Sequence, residues 1–164
     1  MTGPLLLYPN ETVQHAGMFL RSGLSLRYHG IAGHTLRLAH LPKGDYLFMT
    51  QAPREVDCLT GAALVTDRQL FDDLNGFDPL LGVLGQDVDL CLELRSQGLR
   101  NIFTPRARFY HLESRSRGRY YDLVDRNLLL DRWSGVIAAD PYFNPNFDVE
   151  ACDYSLKPEP LLRP

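Results

Sequence analysis

Long apolar runs are missing from this 164-residue sequence. No segment approaches the roughly 20 apolar residues that span a bilayer, so no membrane-crossing helix is expected. The start, Met1 to Tyr8, carries Leu5, Leu6 and Leu7 but no basic flank and no small-residue cleavage pattern. It reads as a strand rather than a signal peptide. An excess of one charge is missing too. The formal net charge is −3, which gives no electrostatic reason to expect nucleic acid or an anionic membrane as a partner. Cysteine is scarce: Cys58, Cys91 and Cys152 are widely spaced and form no Cys-x-x-Cys pair. That argues against a disulfide framework and against structural zinc, and for reduced cytosolic thiols. Cys58 and Cys91 lie in apolar contexts and are expected as small core residues. Internal repeats and low-complexity tracts are also absent.

What remains is an ordinary globular mixture, 45% hydrophobic and 23% charged, long enough for one domain with a real core. Pro9-Asn10-Glu11 is a turn signal between two extended pieces, Leu5–Tyr8 and Thr12–His15. Residues 17–44 hold five glycines and three histidines, which reads as a long surface loop. The apolar, β-prone run 56–65 (V-D-C-L-T-G-A-A-L-V) reads as a buried strand, with Gly61 marking a kink or a close approach to a ligand. A helix is expected over Asp67–Leu74, capped by Thr66 and stopped by Asn75-Gly76. A second runs from Gln86 or Asp87 to Gln97, with Val88, Cys91, Leu92 and Leu94 on its buried face. Two strands follow, Asn101–Thr104, ended by Pro105, and Ala107–His111. A third helix covers Gly118–Trp133. The tail from Asp140 carries five prolines and reads as an extended strap.

Two clusters can carry chemistry. Asp87 and Asp89 open a helix, where unpaired N–H groups and the helix dipole favour carboxylates. Such carboxylates can simply stabilise the helix start. Alternatively Asp87 faces a cleft and acts as a general base, which requires a carboxylate within hydrogen-bond reach of the hydroxyl it deprotonates. Asp89, two residues on and about 200° around the helix, cannot share that face and is expected to buttress a loop through an Arg or a backbone N–H. The second cluster, H-L-E-S-R-S-R-G over 111–118, combines an imidazole, hydroxyls and guanidiniums. These suit a diphosphate and, through the histidine, a divalent metal; a solvated basic loop is the other reading. His15, His29, His34 and His40 show no metal-type spacing and are expected on the surface or in packing.

The order of these motifs resembles the family-2 glycosyltransferases. Residues 56–79 are similar to the segment that enters the family's acceptor site, a Thr-Gly strand, a helix and then Gly-Gly-Phe-Asp. Residues 85–100 (G-Q-D-V-D-L-C-L-E-L-R-S-Q-G-L-R) resemble its Glu-Asp-x-Asp-Leu-Cys-Leu-Arg-Leu block. Residues 104–118 resemble its Thr-Pro…His-x-x-Ser-x-Ser-Arg segment. P-N-E-T-V-Q-H-A-G (9–17), G-I-A-G-H (30–34) and D-P-Y-F-N-P-N-F (140–147) look like bacterial rhamnosyltransferase-like members. The likeness runs from about Leu5 to Asp148. It departs at Gln86 (Glu is commoner), at Asn75 (Gly is usual, although Asn also accepts a left-handed backbone) and at Glu93 (Arg is usual).

The resemblance implies an α/β chain: a partial GT-A fold, the acceptor-side half of a mixed sheet flanked by helices, without the Rossmann-like nucleotide-binding half and its metal-binding Asp-x-Asp. Asp87-Val-Asp89, opening a helix, is not that motif. The implied organisation is one truncated domain, with bridging strands and a loop over 1–55, an acceptor and catalytic core over 56–134 and a tail over 135–164. Asp87 is the implied catalytic base. Thr60, Gly61, Phe77, Asp78 and Gln86 border the donor sugar and acceptor. Ser114, Ser116 and Arg117 lie on a loop over the diphosphate, and His111 approaches the metal, Mg²⁺ or Mn²⁺. The expected partners are a nucleotide-sugar donor and a glycan acceptor, with a second copy or a partner chain covering the exposed sheet edge. The expected location is the cytoplasm, at the inner face of the cell membrane. Transfer with inversion is expected, with little activity from this chain alone. A non-catalytic glycan-binding module, or a fragment completed by a separate nucleotide-binding half, are the alternatives; a glycoside hydrolase needs a second carboxylate flanking the scissile bond.

Overall fold

A computed structural model describes residues 1–21, 31–41, 43, 45–82, 85–112 and 123–157. Its centre is a parallel pair, β1 (Thr2–Leu7) and β6 (Asn101–Tyr110). Five of the six β1 residues are buried, as expected for a strand covered on both faces. Antiparallel strands complete the sheet on either side: β2 (Val13–His15) beside β1, and β5 (Arg54–Val56) beside β6, giving the order β2-β1-β6-β5. A two-stranded sheet, β3 (Met18–Leu20) with β4 (Ala32–His34), lies apart from it. Three helices accompany the strands: α1 (Arg68–Asp73), α2 (Gln86–Ser96) and α3 (Leu123–Ile137). The result is the α/β architecture of a mixed sheet with flanking helices that the partial GT-A resemblance implies.

Several elements differ from the sequence reading. The run 56–65 is not one strand. Val56 ends β5, and the next backbone groups bond outside any ladder: the Asn101 amide donates to the Asp57 carbonyl (2.7 Å), Met18 N–H to the Cys58 carbonyl (3.0 Å), and Leu59 N–H to Cys91 Sγ (3.2 Å). A turn then closes from Thr60 to Ala63, and Val65 is exposed. Burial therefore stops at Thr60, and the edge expected for the whole run belongs to the three residues of β5. The two strands expected around Pro105 are one. Proline has no N–H to offer a ladder, and the chain answers with a bulge: Pro4 pairs with Thr104, but Leu5 pairs with Arg108. Asp67 rather than Thr66 caps α1, its carboxylate accepting the Leu70 N–H at 3.1 Å. The first residues of the third helix as read from sequence, 118–122, lie outside the described residues.

The expected surface loop 17–44 contains β3 and β4 and contributes Phe19, Ile31 and Leu36 to the core. The tail, expected as an extended strap, has no helix or strand over 140–157 and packs its aromatic rings into the core. Phe143 stacks on Phe19 at 4.1 Å, Tyr154 stacks on Tyr46 at 5.2 Å, and Phe147 meets both Phe143 and Tyr154 edge-on. Each buried aromatic is worth roughly 2–3 kcal/mol, which is enough to order a proline-bearing chain without regular structure.

The tail is fastened where it begins. Asp140 accepts the Leu20 N–H (2.7 Å) with one oxygen and the Tyr142 and Phe143 N–H groups with the other. Beside it, Asp57 is fully buried and pairs with Arg95 through one oxygen, while its other oxygen meets no donor. Burial, and next the Asp140 carboxyl, push the Asp57 carboxyl up to about 9 against the pull of Arg95. A proton on the pair is what lets two carboxyls sit together. The folded chain then holds a proton that the unfolded chain has lost above the ordinary carboxylate range. The stabilisation is complete at acid pH and is lost as pH rises toward 9. Thermal melts of the wild type are expected to show a falling Tm between neutral pH and pH 9. Asp57→Asn, which carries a permanent N–H donor in place of the proton, is expected to show a flatter slope over the same window; identical slopes would remove the shared proton from the account.

Candidate active site

Helix α2 starts abruptly. Gly85, with φ +78°, turns the chain into it, and a Cβ there would lie 2.3 Å from Leu129 Cδ1 on α3. Both the backbone angle and the close approach require glycine. Asp87 then stands in the first turn. Its Oδ2 accepts the Gly61 N–H (2.8 Å) and its Oδ1 accepts the Val88 N–H (2.9 Å), with the Thr60 hydroxyl a further donor. Asp87 is half-buried. Burial of the carboxyl raises its pKa from the ordinary value, while the Gly61 and Val88 N–H groups oppose the rise. Three of the nominated residues, Thr60, Gly61 and Asp87, are thus in one place. Gly61 is exposed, and a Cβ there would meet Asp87 Cβ at 3.4 Å.

The other nominated residues form separate groups. Gln86 turns its amide to the Leu81 carbonyl (2.7 Å), closing the connection into α2. Phe77 packs edge-on against Phe71 at 5.5 Å and stays partly exposed. Asp78 accepts the Leu80 N–H (2.8 Å) and pairs with Arg132 of α3. The Leu80 N–H first, then the guanidinium, hold the Asp78 carboxyl below its usual value. His111, at the end of β6, hydrogen-bonds through Nδ1 to Gln14 Oε1 (2.8 Å), and Gln14 returns its N–H to the His111 carbonyl (3.2 Å). An amide oxygen only accepts, so Nδ1 carries a proton. Ser114, Ser116 and Arg117 lie outside the described residues.

Sequence reasoning missed the groups that α3 supplies. Asp89, nearly buried, accepts the Trp133 indole N–H (2.7 Å) and an Arg132 N–H (3.2 Å). The need for a partner was legible, but its identity was not, because Arg132 and Trp133 stand more than 40 residues away. Asp125 similarly accepts the Gly82 N–H at 2.9 Å. An open, polar cavity of about 290 Å³ lies beside these groups, lined by Asn75, Asp78, Asp89, Glu93, Gln97 and Arg132 among others. Asp89, Glu93 and Gln97 follow one another at i, i+4 and i+8, so the cavity runs along one flank of α2. Asp87 is not part of its lining. Its hydrogen bonds place it at Gly61 instead.

As for metal, no group of three or more ligating side chains comes together among the described residues. His111 is one nominated ligand. The described residues do not fit a complete centre for a divalent ion.

Comparison with known proteins shows what the chain is similar to. The family model described as glycosyltransferase like family 2 matches residues 37–135, a span that includes every nominated residue. The uncharacterized protein y4gI of Sinorhizobium fredii is 35% identical over 164 residues, which cover 94% of this chain and 17% of that protein. The O-antigen biosynthesis protein RfbC of Myxococcus xanthus is 35% identical over 167 residues, covering 96% of this chain and 12% of that protein. The chain thus spans less than a fifth of the length of these curated relatives. No solved structure matches it.

The entry into α2 makes its own prediction. Gly85→Ala combines a left-handed backbone angle with a clash against Leu129, and is expected to cost about 2 kcal/mol or more. Urea unfolding checks this: a midpoint equal to that of the wild type would show that the turn and Leu129 relax freely.

Proposed function

The chain belongs to the glycosyltransferase like family 2, and on that premise we propose that it carries the acceptor-side, base-bearing part of an inverting transfer from a nucleotide-sugar to a glycan. The observation that carries the reading is the Asp87 carboxylate: half-buried, gripped by the Gly61 N–H, and raised in proton affinity by burial. A base with higher proton affinity suits an alcohol.

In the proposed reaction Asp87 takes the proton of an acceptor hydroxyl. The freed oxygen attacks the anomeric carbon as the bond to the diphosphate breaks, and the electron pair leaves with the diphosphate, inverting the centre. Thr60 and Gly61 border the sugar, while Phe77, Asp78 and Gln86 shape the acceptor side. Ser114, Ser116 and Arg117 cover the diphosphate. His111 would offer one ligand to a divalent cation, Mg²⁺ or Mn²⁺, which would supply charge neutralisation at the diphosphate. The nucleotide is held by groups not contained in these 164 residues, so the chain alone turns over little.

The Myxococcus relative is described as an O-antigen biosynthesis protein, which suggests a growing cell-envelope polysaccharide as the acceptor here. Among the described residues no helix is long and apolar enough to cross a membrane; the proposed place of action is the cytoplasmic face of the cell membrane. Edge strand β5 is the proposed seat of a second copy or a partner chain. A second reading draws on the cavity along α2, whose carboxylates, amides and guanidinium suit sugar hydroxyls: a glycan-binding module without chemistry.

The test is transfer by the full gene product from a panel of nucleotide-sugars to envelope glycans. Asp87→Asn is expected to lower kcat by about 10²–10⁴-fold with little change in KM. Unchanged turnover in that variant sinks the base assignment. Glycan binding with no transfer in the wild type supports the second reading.

A further inference from the structure

We infer that Arg132 and Trp133 are positioning residues for Asp87: by holding Asp89 and Asp78, they fix the rotation of the first turn of α2 against the 57–63 loop. The inference deepens the base role proposed above and rests on it.

The geometry is a brace between three elements. Trp133 gives its indole N–H to one oxygen of Asp89 at 2.7 Å, and Arg132 meets the other at 3.2 Å. The same guanidinium pairs with Asp78, whose second oxygen already closes the turn to Leu80. One arginine therefore ties the first turn of α2 to the turn that follows α1. One turn of α3 earlier in the chain Leu129 packs on Gly85, and a further turn earlier Asp125 receives the Gly82 N–H. Helix α3 thus touches the approach to α2 at Gly82, Gly85 and Asp89.

Asp87 and Asp89 diverge by about 200° around the helix axis. Their partners pull on opposite flanks, Gly61 on one and α3 on the other. The Asp89 side chain is 7% exposed, and a carboxylate deprived of its donors at that depth must reach water. The route open to it is a turn of α2 toward the cavity that Asp89 borders. That rotation carries Asp87 with it and draws its oxygen off the Gly61 N–H. Cavity, loop and base are in this way connected through Arg132 and Trp133.

The Gly61 amide reports the position of Asp87 without any sugar nucleotide, because it donates to Oδ2. In ¹⁵N NMR of the 164-residue chain its shift is expected to titrate with Asp87, with a midpoint above the ordinary carboxylate range. In Arg132→Met the midpoint is expected to rise further, because the Gly61 N–H that opposes the effect of burial is withdrawn, and Gly61 amide exchange is expected to speed up by about tenfold. Arg132→Lys, keeping the charge, is expected to restore part of both. Trp133→Phe keeps the packing and removes the N–H, and is expected to move both readouts in the same direction; it decides alone if Arg132→Met does not fold. A Gly61 midpoint and exchange rate equal to wild type in the folded variants, whatever their Tm, overturns the inference and leaves only a structural contact. The outcome is separable from the transferase reading. An active Asp87→Asn enzyme removes the base role but leaves the Gly61 readout standing, and an unmoved Gly61 signal leaves the base role untouched.

Discussion

The first turn of α2 is a place where two carboxylates, two residues apart, must both be satisfied. One hydrogen-bonds to the N–H of Gly61, the other to the indole of Trp133 and to Arg132. A helix cannot turn to improve one contact without weakening the other. The irregular loop from Asp57 to Ala63, the turn after α1 and the placement of α3 are all referred to this one short stretch. Gly85 fits the same constraint: the chain enters α2 through a left-handed residue packed against Leu129, with no room for a side chain.

Beneath that stretch, polar groups do much of the joining. Asn101 is fully buried and gives its amide to the carbonyls of Asp57 and Cys91, tying β6 to the loop and to α2. Cys91 takes the Leu59 N–H, so a thiol stands where a ladder partner would be in a longer strand. His15 is buried against His34, with Nδ1 to Nδ1 at 3.1 Å, and its other nitrogen accepts the Gly17 N–H. Burial, then His34 and Arg54, keep its pKa well below the usual value, so it is a neutral packing group between β2 and β4. The aromatic tail closes over β3 and β4, and the Asp57–Asp140 pair marks the point where it leaves α3 and joins the core.

Much of this was legible residue by residue. The Asp87 helix, its Val88, Cys91, Leu92 and Leu94 face and the stop at Gly98 follow from period and punctuation. The left-handed Asn75 (φ 61°) occupies the place of a glycine, as its side chain permits. The apolar run 56–65 misled because apolar, β-branched composition reports burial, not pairing. Residues 56–60 are buried, but beyond Val56 their backbone groups bond singly, to the Asn101 amide, the Met18 N–H and the Cys91 thiol, rather than in a ladder with a neighbouring strand. The glycine-rich 17–44 region misled in the opposite sense: Gly33 lets β4 lie close to the ring of Phe19 and does not mark solvent.

By itself the sequence determined the family and the helix that presents Asp87, since these depend on local period, on residues whose backbone preferences are strong and on motifs in a set order. Only the tertiary structure decided that Asp89 pairs with Arg132 and Trp133, that Asp57 lies beside Asp140, and that the cavity runs along the flank of α2 away from Asp87. Those outcomes depend on which distant segments meet. A buried carboxylate announces that it needs a partner, but the partner is chosen by packing, and packing is not written in any local stretch of chain.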